Sequence, residues 1–218
     1  MKILKHFLLL SLILFISCGP EEKQVDNKTK VPETASSSAA TNKKYKIKSG
    51  IITSEIENSM IGGKINSTLY FDDFGSKECS EDMYEMEMMG QKIKTHNIRI
   101  TSGDYMYNID MEKKAGTKMK IYSNANPYDF SSISEEMKKD WNLKNEGTES
   151  ILGKTCEVFS MNNEKSKLKG TVYNWQGLTL KSEIEMGGIK MKTAATKIEE
   201  NIPIPSEKFE VPKDIKIQ

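Results

Sequence analysis

Alternation with a period of two runs through almost the whole chain beyond residue 45, and it restricts the fold more than any other feature. In GKINSTLYFDDFGSKE, Ile65, Ser67, Leu69 and Phe71 alternate with polar Asn66 and Thr68. That spacing belongs to a strand whose two faces meet different surroundings. The turn residues DDFG follow, and the pattern resumes over 77–89, which makes a hairpin of the two segments. Alternation returns at 96–101, at 105–111 with Tyr105, Tyr107, Ile109 and Met111 on one face, and at 117–122, 154–161, 170–175, 178–186 and 189–198. Trp175-Gln176-Gly177-Leu178 and Met186-Gly187-Gly188-Ile189 have the composition of tight hairpin turns. Short strands joined by local turns make an antiparallel meander.

One segment departs from this period. SSISEEMKKDW, residues 131–141, offers serine N-caps and an early glutamate, and spaces Ile133, Met137 and Trp141 four apart. It predicts a short amphipathic helix against a sheet face. Toward residue 212, IPIPSEKFEVP reads as an extended tail tacked down by Phe209 and Val211. Several strands are apolar on one side and charged on the other, as Leu178, Leu180, Ile184 and Met186 against Lys181, Glu183 and Glu185. A sheet wet on one face must cover the other by curling or with helices, and helices are scarce here. The expected class is therefore mainly β (α+β): a strongly curved antiparallel sheet forming an incomplete barrel with one or two short helices.

The first residues determine where such a domain works. Lys2 and Lys5 precede an apolar run at 7–16, only ~15 Å long as a helix. A bilayer core of ~30 Å is twice that. The run suits the hydrophobic part of a secretory signal. It ends in Phe15-Ile16-Ser17-Cys18-Gly19, which resembles the lipobox of bacterial lipoproteins, with Phe15 in place of the usual leucine. The expectation is a signal peptide over 1–17, acylation of Cys18 and a lipid-anchored protein, against the plainer reading of an ordinary signal with a chance cysteine. Residues 19–44, GPEEKQVDNKTKVPETASSSAATNKK, can bury little apolar area and read as a disordered tether. Glu21 and Glu22 resemble the surface-export signals of some Gram-negative lipoproteins, or are simply charges in a solvated linker. A single domain is expected over 45–218.

The hairpin TLYFDDFGSKE, then ILGKTCEVF, then NWQGLTLKSEIEMGGIKMKTAATKIEENIPIPSEKFEVP, resembles in order and spacing a bacterial lipoprotein family related to the carrier and receptor proteins of the LolA/LolB type. The resemblance implies an unclosed β-barrel plugged by helices, with an apolar cavity that holds acyl chains, and no catalytic residues.

Chemistry-bearing constellations are sparse. With His6 in the signal, His96 is the one histidine left to the mature chain, which excludes a multi-histidine zinc site. Phosphate-loop, G-x-S-x-G and H-E-x-x-H motifs are absent, and Asp72-Asp73 reads as turn chemistry. No enzyme and no cofactor are expected. The net charge of +1 falls to −1 once Lys2 and Lys5 leave with the signal. A near-neutral chain without a basic stripe is no nucleic-acid binder. Cys79 and Cys156 form an even pair in an oxidising compartment, a disulfide candidate against two separate buried thiols.

MYEMEMM places Met83, Met86, Met88 and Met89 within seven residues. Core packing, a deformable apolar cavity and, more distantly, a Cu(I) site that His96 joins all use thioethers. The leading functional expectation is a non-enzymatic envelope lipoprotein, at the outer membrane, holding an acyl chain or other apolar ligand. The cavity candidates are Ile65, Leu69, Phe71, Tyr84, Met86, Met88, Ile98, Ile100, Val172, Leu180, Ile184 and Met191. The alternative is a structural or interaction lipoprotein with a filled core that docks another envelope protein.

Overall fold

The computed structural model describes residues 43–61, 63–88, 91–121 and 133–218, without the side chains of 86–88. The expected signal peptide, Cys18 and nearly all of the tether lie outside the described residues. Residues 40–218 form one compact unit that holds every described strand and all three apolar clusters, so the described core is complete within it.

In chain order the elements are β1 (Gly50–Asn58), β2 (Lys64–Asp72), β3 (Lys77–Met88), β4 (Gln91–Ser102), β5 (Tyr105–Asp110) and β6 (Ala115–Lys120). Then come α1 (Glu135–Asp140), β7 (Lys144–Ile151), β8 (Lys154–Asn163), β9 (Leu168–Trp175), β10 (Leu178–Met186), β11 (Ile189–Glu200) and β12 (Lys216–Ile217). They build one curved sheet, not closed into a barrel, in the order β12-β6-β5-β4-β3-β2-β1-β11-β10-β9-β8-β7. Every pairing is antiparallel except β12 with β6. Two meanders, β1 to β6 and β7 to β11, thus share a seam where Ile52 faces Ile198 across β1 and β11. The hairpin turns follow their composition. Gln176 and Gly177 both take positive φ, at 56° and 89°, which matches the twist of the flanking strands.

The helix is shorter than its sequence pattern. Ser134 caps it, its hydroxyl accepting from the Met137 N–H at 3.2 Å. Ile133 and Trp141 pack against Phe159, Met161, Leu168 and Val172, whereas Met137 is 44% exposed. Six helical residues are too few to press both ends and the middle of the stripe onto one surface.

A more consequential departure concerns which face is apolar. On β1, β2 and β11 the buried apolar side chains lie on the face that carries α1, with Ile52 beside Leu69 and Ile198; on β8 and β9 Phe159 beside Val172 lies there too, while Cys156, Val158 and Trp175 alternate to the other side. From β3 onward the greasy side is the opposite one. Cys79 faces Tyr70 and Ile100, and Ile100 faces Tyr107. The side bearing α1 there carries Ser80, Asp82, Asn97, Arg99 and Asn108. β2 makes this exchange possible because neighbouring Tyr70 and Phe71 are both apolar and serve opposite faces.

Each greasy half has its own cover. Residues 201–215 cross the second face as a strap. The Asn201 N–H donates to the Ser49 carbonyl and the Ser49 hydroxyl to the Ile202 carbonyl, both at 2.7 Å. Phe209, in a short 3-10 turn (Ser206–Phe209), then enters the cluster of Cys79, Ile100 and Ile109 with Ile204, Val211 and Ile215 around it. On the first face, residues 45–49 bridge two hairpins at the β2–β3 end of the sheet. The Tyr45 N–H donates to the Phe74 carbonyl at 2.9 Å and the Lys46 N–H to the Gln176 carbonyl at 3.0 Å. Gly75 allows that bridge: it sits at φ +85°, and a Cβ there would come within 2.6 Å of the Tyr45 ring.

Candidate functional site

The sequence-derived cavity residues divide by face. Ile65, Leu69, Phe71, Tyr84, Val172, Ile184 and Met191 share the helix-bearing side by strand register, and Leu180, skipped at the β9–β10 bulge, packs in one cluster with Phe71. Ile98 and Ile100 stand on the strap-bearing side, in the Phe209 cluster. They cannot line the same surface as the others, because β4 pairs with β3 after the apolar side has changed over. The Met86 and Met88 side chains lie outside the described residues.

Within the shared group, burial separates filling from surface. Phe71, Val172 and Leu180 are fully buried and belong to the packed core. Tyr84, Ile65, Met191 and Ile184 are half-buried, and so is Ile56 on β1, which the sequence reading passed over. Register sets two adjoining rows across the strands. One runs Ile65, Ile56, Thr193, Ser182, Val172 and Phe159; the other runs Asn58, Met191, Ile184, Gly170 and Met161. From Tyr84 on β3 to Ile184 on β10 is four inter-strand spacings, roughly 19 Å. That is comparable with an extended long acyl chain. The α1 cluster closes the β8 end of the strip, and the cluster of Tyr45, Ile47, Phe71 and Leu180 fills the ground toward the β2–β3 turn.

These half-buried residues form an open apolar strip on the curved, unclosed sheet. Two hollows lie on charged ground. One of about 380 Å³ is walled by Glu57, Lys64, Lys190 and Lys192, and one of about 200 Å³ by Glu55, Glu57, Lys181, Glu183 and Lys192. Their side of β1, β10 and β11 is a lattice of exposed pairs such as Lys64–Glu55 at 2.6 Å and Lys192–Glu183 at 3.8 Å. Pairs of that kind keep a face solvated and contribute little stability.

Cys79 and Cys156 are not bonded; both are free and buried. They stand on β3 and β8, six strand steps apart in the sheet, roughly 29 Å along it, and in different clusters. Burial, aided by the Glu81 carboxylate, pushes the Cys79 thiol up to about 11, and burial raises Cys156 as well. A protonated, occluded thiol is a poor nucleophile. In native protein at mildly alkaline pH, Ellman's reagent should therefore leave both untouched and find both after unfolding, without prior reduction. Their absence from the unfolded, unreduced chain would restore the disulfide.

His96 sits within β4, and its Nε2 meets Glu81 Oε1 at 2.8 Å. Glu81 Oε2 accepts from Lys208 Nζ of the strap at 3.3 Å, and that ammonium stacks 4.3 Å from the Tyr70 ring centre. The histidine thus helps fasten the strap. Among the described residues no group of three or more His, Cys, Asp or Glu is arranged to hold a metal.

No family model matches the sequence, and no curated protein matches it. Solved structures do share its fold. One is a conserved protein of Thermus thermophilus, described as uncharacterized, with 8% identity and a TM-score of 0.52 over 79% of this chain and 91% of that one. Another is the MucA/MucB complex of Pseudomonas aeruginosa, with 11% identity and a TM-score of 0.50 over 78% of this chain and 58% of that one. The lipoprotein LppX of Mycobacterium tuberculosis overlaps more loosely, with 11% identity and a TM-score of 0.38 over 71% of this chain and 89% of that one.

Proposed function

We propose that this chain is a non-enzymatic lipoprotein, anchored in the cell envelope through Cys18, that binds an acyl chain or another apolar ligand across the helix-bearing face of its open sheet. The outer membrane is the membrane it serves in this reading. The observation that carries the proposal is the half-buried strip of Tyr84, Ile65, Ile56, Met191 and Ile184. Its two long sides are defined by packed core and strand ends, and its surface is apolar without being filled by the described residues. An apolar chain laid there removes several side chains from water at once. The open form suits a ligand that must be given up again, since an enclosed site would have to unfold locally to release it.

The test is direct. Protein purified from its own envelope is extracted for co-purifying acyl species, and the emptied protein is titrated with a fluorescent fatty acid. The double variant Ile56→Asn, Ile184→Asn should weaken that binding roughly tenfold or more. An empty native protein that also ignores the probe would end the proposal.

One observation favours a second reading, a protein partner. MucB, which shares the fold, is seen in complex with MucA. On that reading the strip receives an apolar segment of another envelope protein. A stoichiometric protein, retained by the native chain and lost with the same double variant, would replace the acyl ligand.

A further inference from the structure

At the end of the sheet where β1 turns into β2, Met60 is 72% exposed, more than any other large apolar residue described. The turn that presents it is internally tied. Asn58 Oδ1 accepts from the Met60 N–H at 2.9 Å, and the Asn58 carbonyl from the Ile61 N–H at 3.1 Å. The β10–β11 hairpin is stitched to it: the Ser59 N–H donates to the Lys190 carbonyl at 2.9 Å, and the Lys190 N–H to Ser59 Oγ at 3.0 Å. The methionine is therefore held outward by backbone geometry.

Its surroundings are basic. The hollow of about 380 Å³ between these hairpins is lined by Lys64, Lys190 and Lys192 against a single carboxylate, Glu57. Two more turns at the same end carry Lys113 and Lys114, paired with Asp110 and Asp214, and Lys165 and Lys167, beside Glu112 and Glu164. At the opposite end the inter-strand turns carry Asp73 and Asp104 and no lysine. Lysines stand there too, in residues 43–48 and at the strand ends Lys77, Lys120 and Lys154; Lys44 is bound to Glu78, Lys154 to Glu200, and Lys43 lies over the Phe74 ring.

We propose that the Met60 end is a membrane-contact surface: Met60 enters the boundary between headgroups and acyl chains, and Lys64, Lys190 and Lys192 rest on anionic headgroups. One methionine on a narrow tip offers far too little area for a protein interface, which needs on the order of 1,200 Å². A bilayer asks only for a shallow apolar wedge with positive charge beside it. The existing pairs of Lys64 with Glu55 and Lys192 with Glu183 are exposed and exchange readily for lipid phosphate. This surface does not depend on the acyl strip, although it would bring that strip to its ligand.

The chain 40–218, which contains the whole described fold and lacks both Cys18 and the apolar run before it, is sedimented with phosphatidylcholine vesicles with and without phosphatidylglycerol. Binding is expected only with phosphatidylglycerol. Met60→Ser should weaken it about tenfold or more, and Lys64→Gln, Lys190→Gln and Lys192→Gln about fivefold each at low salt. Leu152→Ser, at the other end and also exposed, should leave it unchanged. The strip variant Ile56→Asn, Ile184→Asn should also bind vesicles normally, so the two proposals fail separately. Indifference to phosphatidylglycerol or to Met60→Ser overturns the membrane surface and leaves the tip to a protein partner. Competition by millimolar inorganic phosphate would replace it by a discrete anion site.

Discussion

Phe71→Ala should lower the unfolding free energy by roughly 3–5 kcal/mol, the range for truncating a buried phenylalanine. Phe71 is 1% exposed and lies at the meeting point of the two meanders, in one cluster with Ile52 of β1, Leu180 of β10 and Ala195 of β11. Tyr45 closes over it edge-on, with ring centres 5.1 Å apart at 73°. Such a pair contributes about 0.5–1.5 kcal/mol beyond its buried area. The void would therefore be bounded by four separate segments, three fixed by strand pairing and the fourth by the Tyr45 N–H on the Phe74 carbonyl, and little able to collapse inward. Urea denaturation of chain 40–218 measures the loss, and a midpoint on the order of 10 °C lower is expected on heating. Phe71→Leu should recover much of it. A loss below about 1 kcal/mol would mean that the N-terminal segment does not seal this site.

The second large effect is expected at the strap. Phe209→Ala removes the side chain around which Cys79, Ile100 and Ile109 gather, again with a cost of roughly 3–5 kcal/mol if the strap stays down. A cheaper route is available to the molecule, since past the Ser49 ties at residues 201 and 202 the strap is held by Lys208 on Glu81 at 3.3 Å, Asp214 on Lys114 at 2.9 Å and partly buried apolar neighbours. Local release of 201–215 would uncover the apolar side of β3–β5 without breaking a ladder of β1–β11. Cys79 reports which occurs. If the strap lifts, its alkylation in native buffer rises steeply while Cys156, in the other cluster, stays protected. If both thiols stay silent and only the urea midpoint moves, the strap is an integral part of the core.

These two sites also mark how far the sequence could be followed. Strands such as 178–186 were readable because apolar Leu178, Leu180, Ile184 and Met186 alternate with polar residues, broken only at Ser182, and the strap was readable because Phe209 and Val211 stand between charges and follow two prolines. β7, Lys144–Ile151, was not: nearly all of it is exposed, so no side chain signals a buried face. β1 alternates only weakly, with Ser54 where an apolar residue would complete the period, and its partner β11 lies far along the chain. The change of apolar side between β2 and β3 was hidden for a similar reason. Tyr70 and Phe71 are both apolar, and only the pairing of Tyr70 with Cys79 reveals that two surfaces are served. Hence Ile98 and Ile100 looked like lining and belong under the strap, while Ile56 went unnoticed beside Ile65.

The margins of the sheet have a consequence of their own. At one, β12 runs alongside β6, the Lys216 N–H donating to the Lys114 carbonyl at 3.0 Å and the Gln218 N–H to the Gly116 carbonyl at 2.9 Å. At the other, β7 is kinked by a bulge between Asn145 and Gly147, the Asn145 side chain taking the Gly147 N–H at 2.8 Å. Neither border presents a long straight row of vacant amides to a sister molecule. Molecules crowded side by side can thus collide edge to edge without zipping into fibrils.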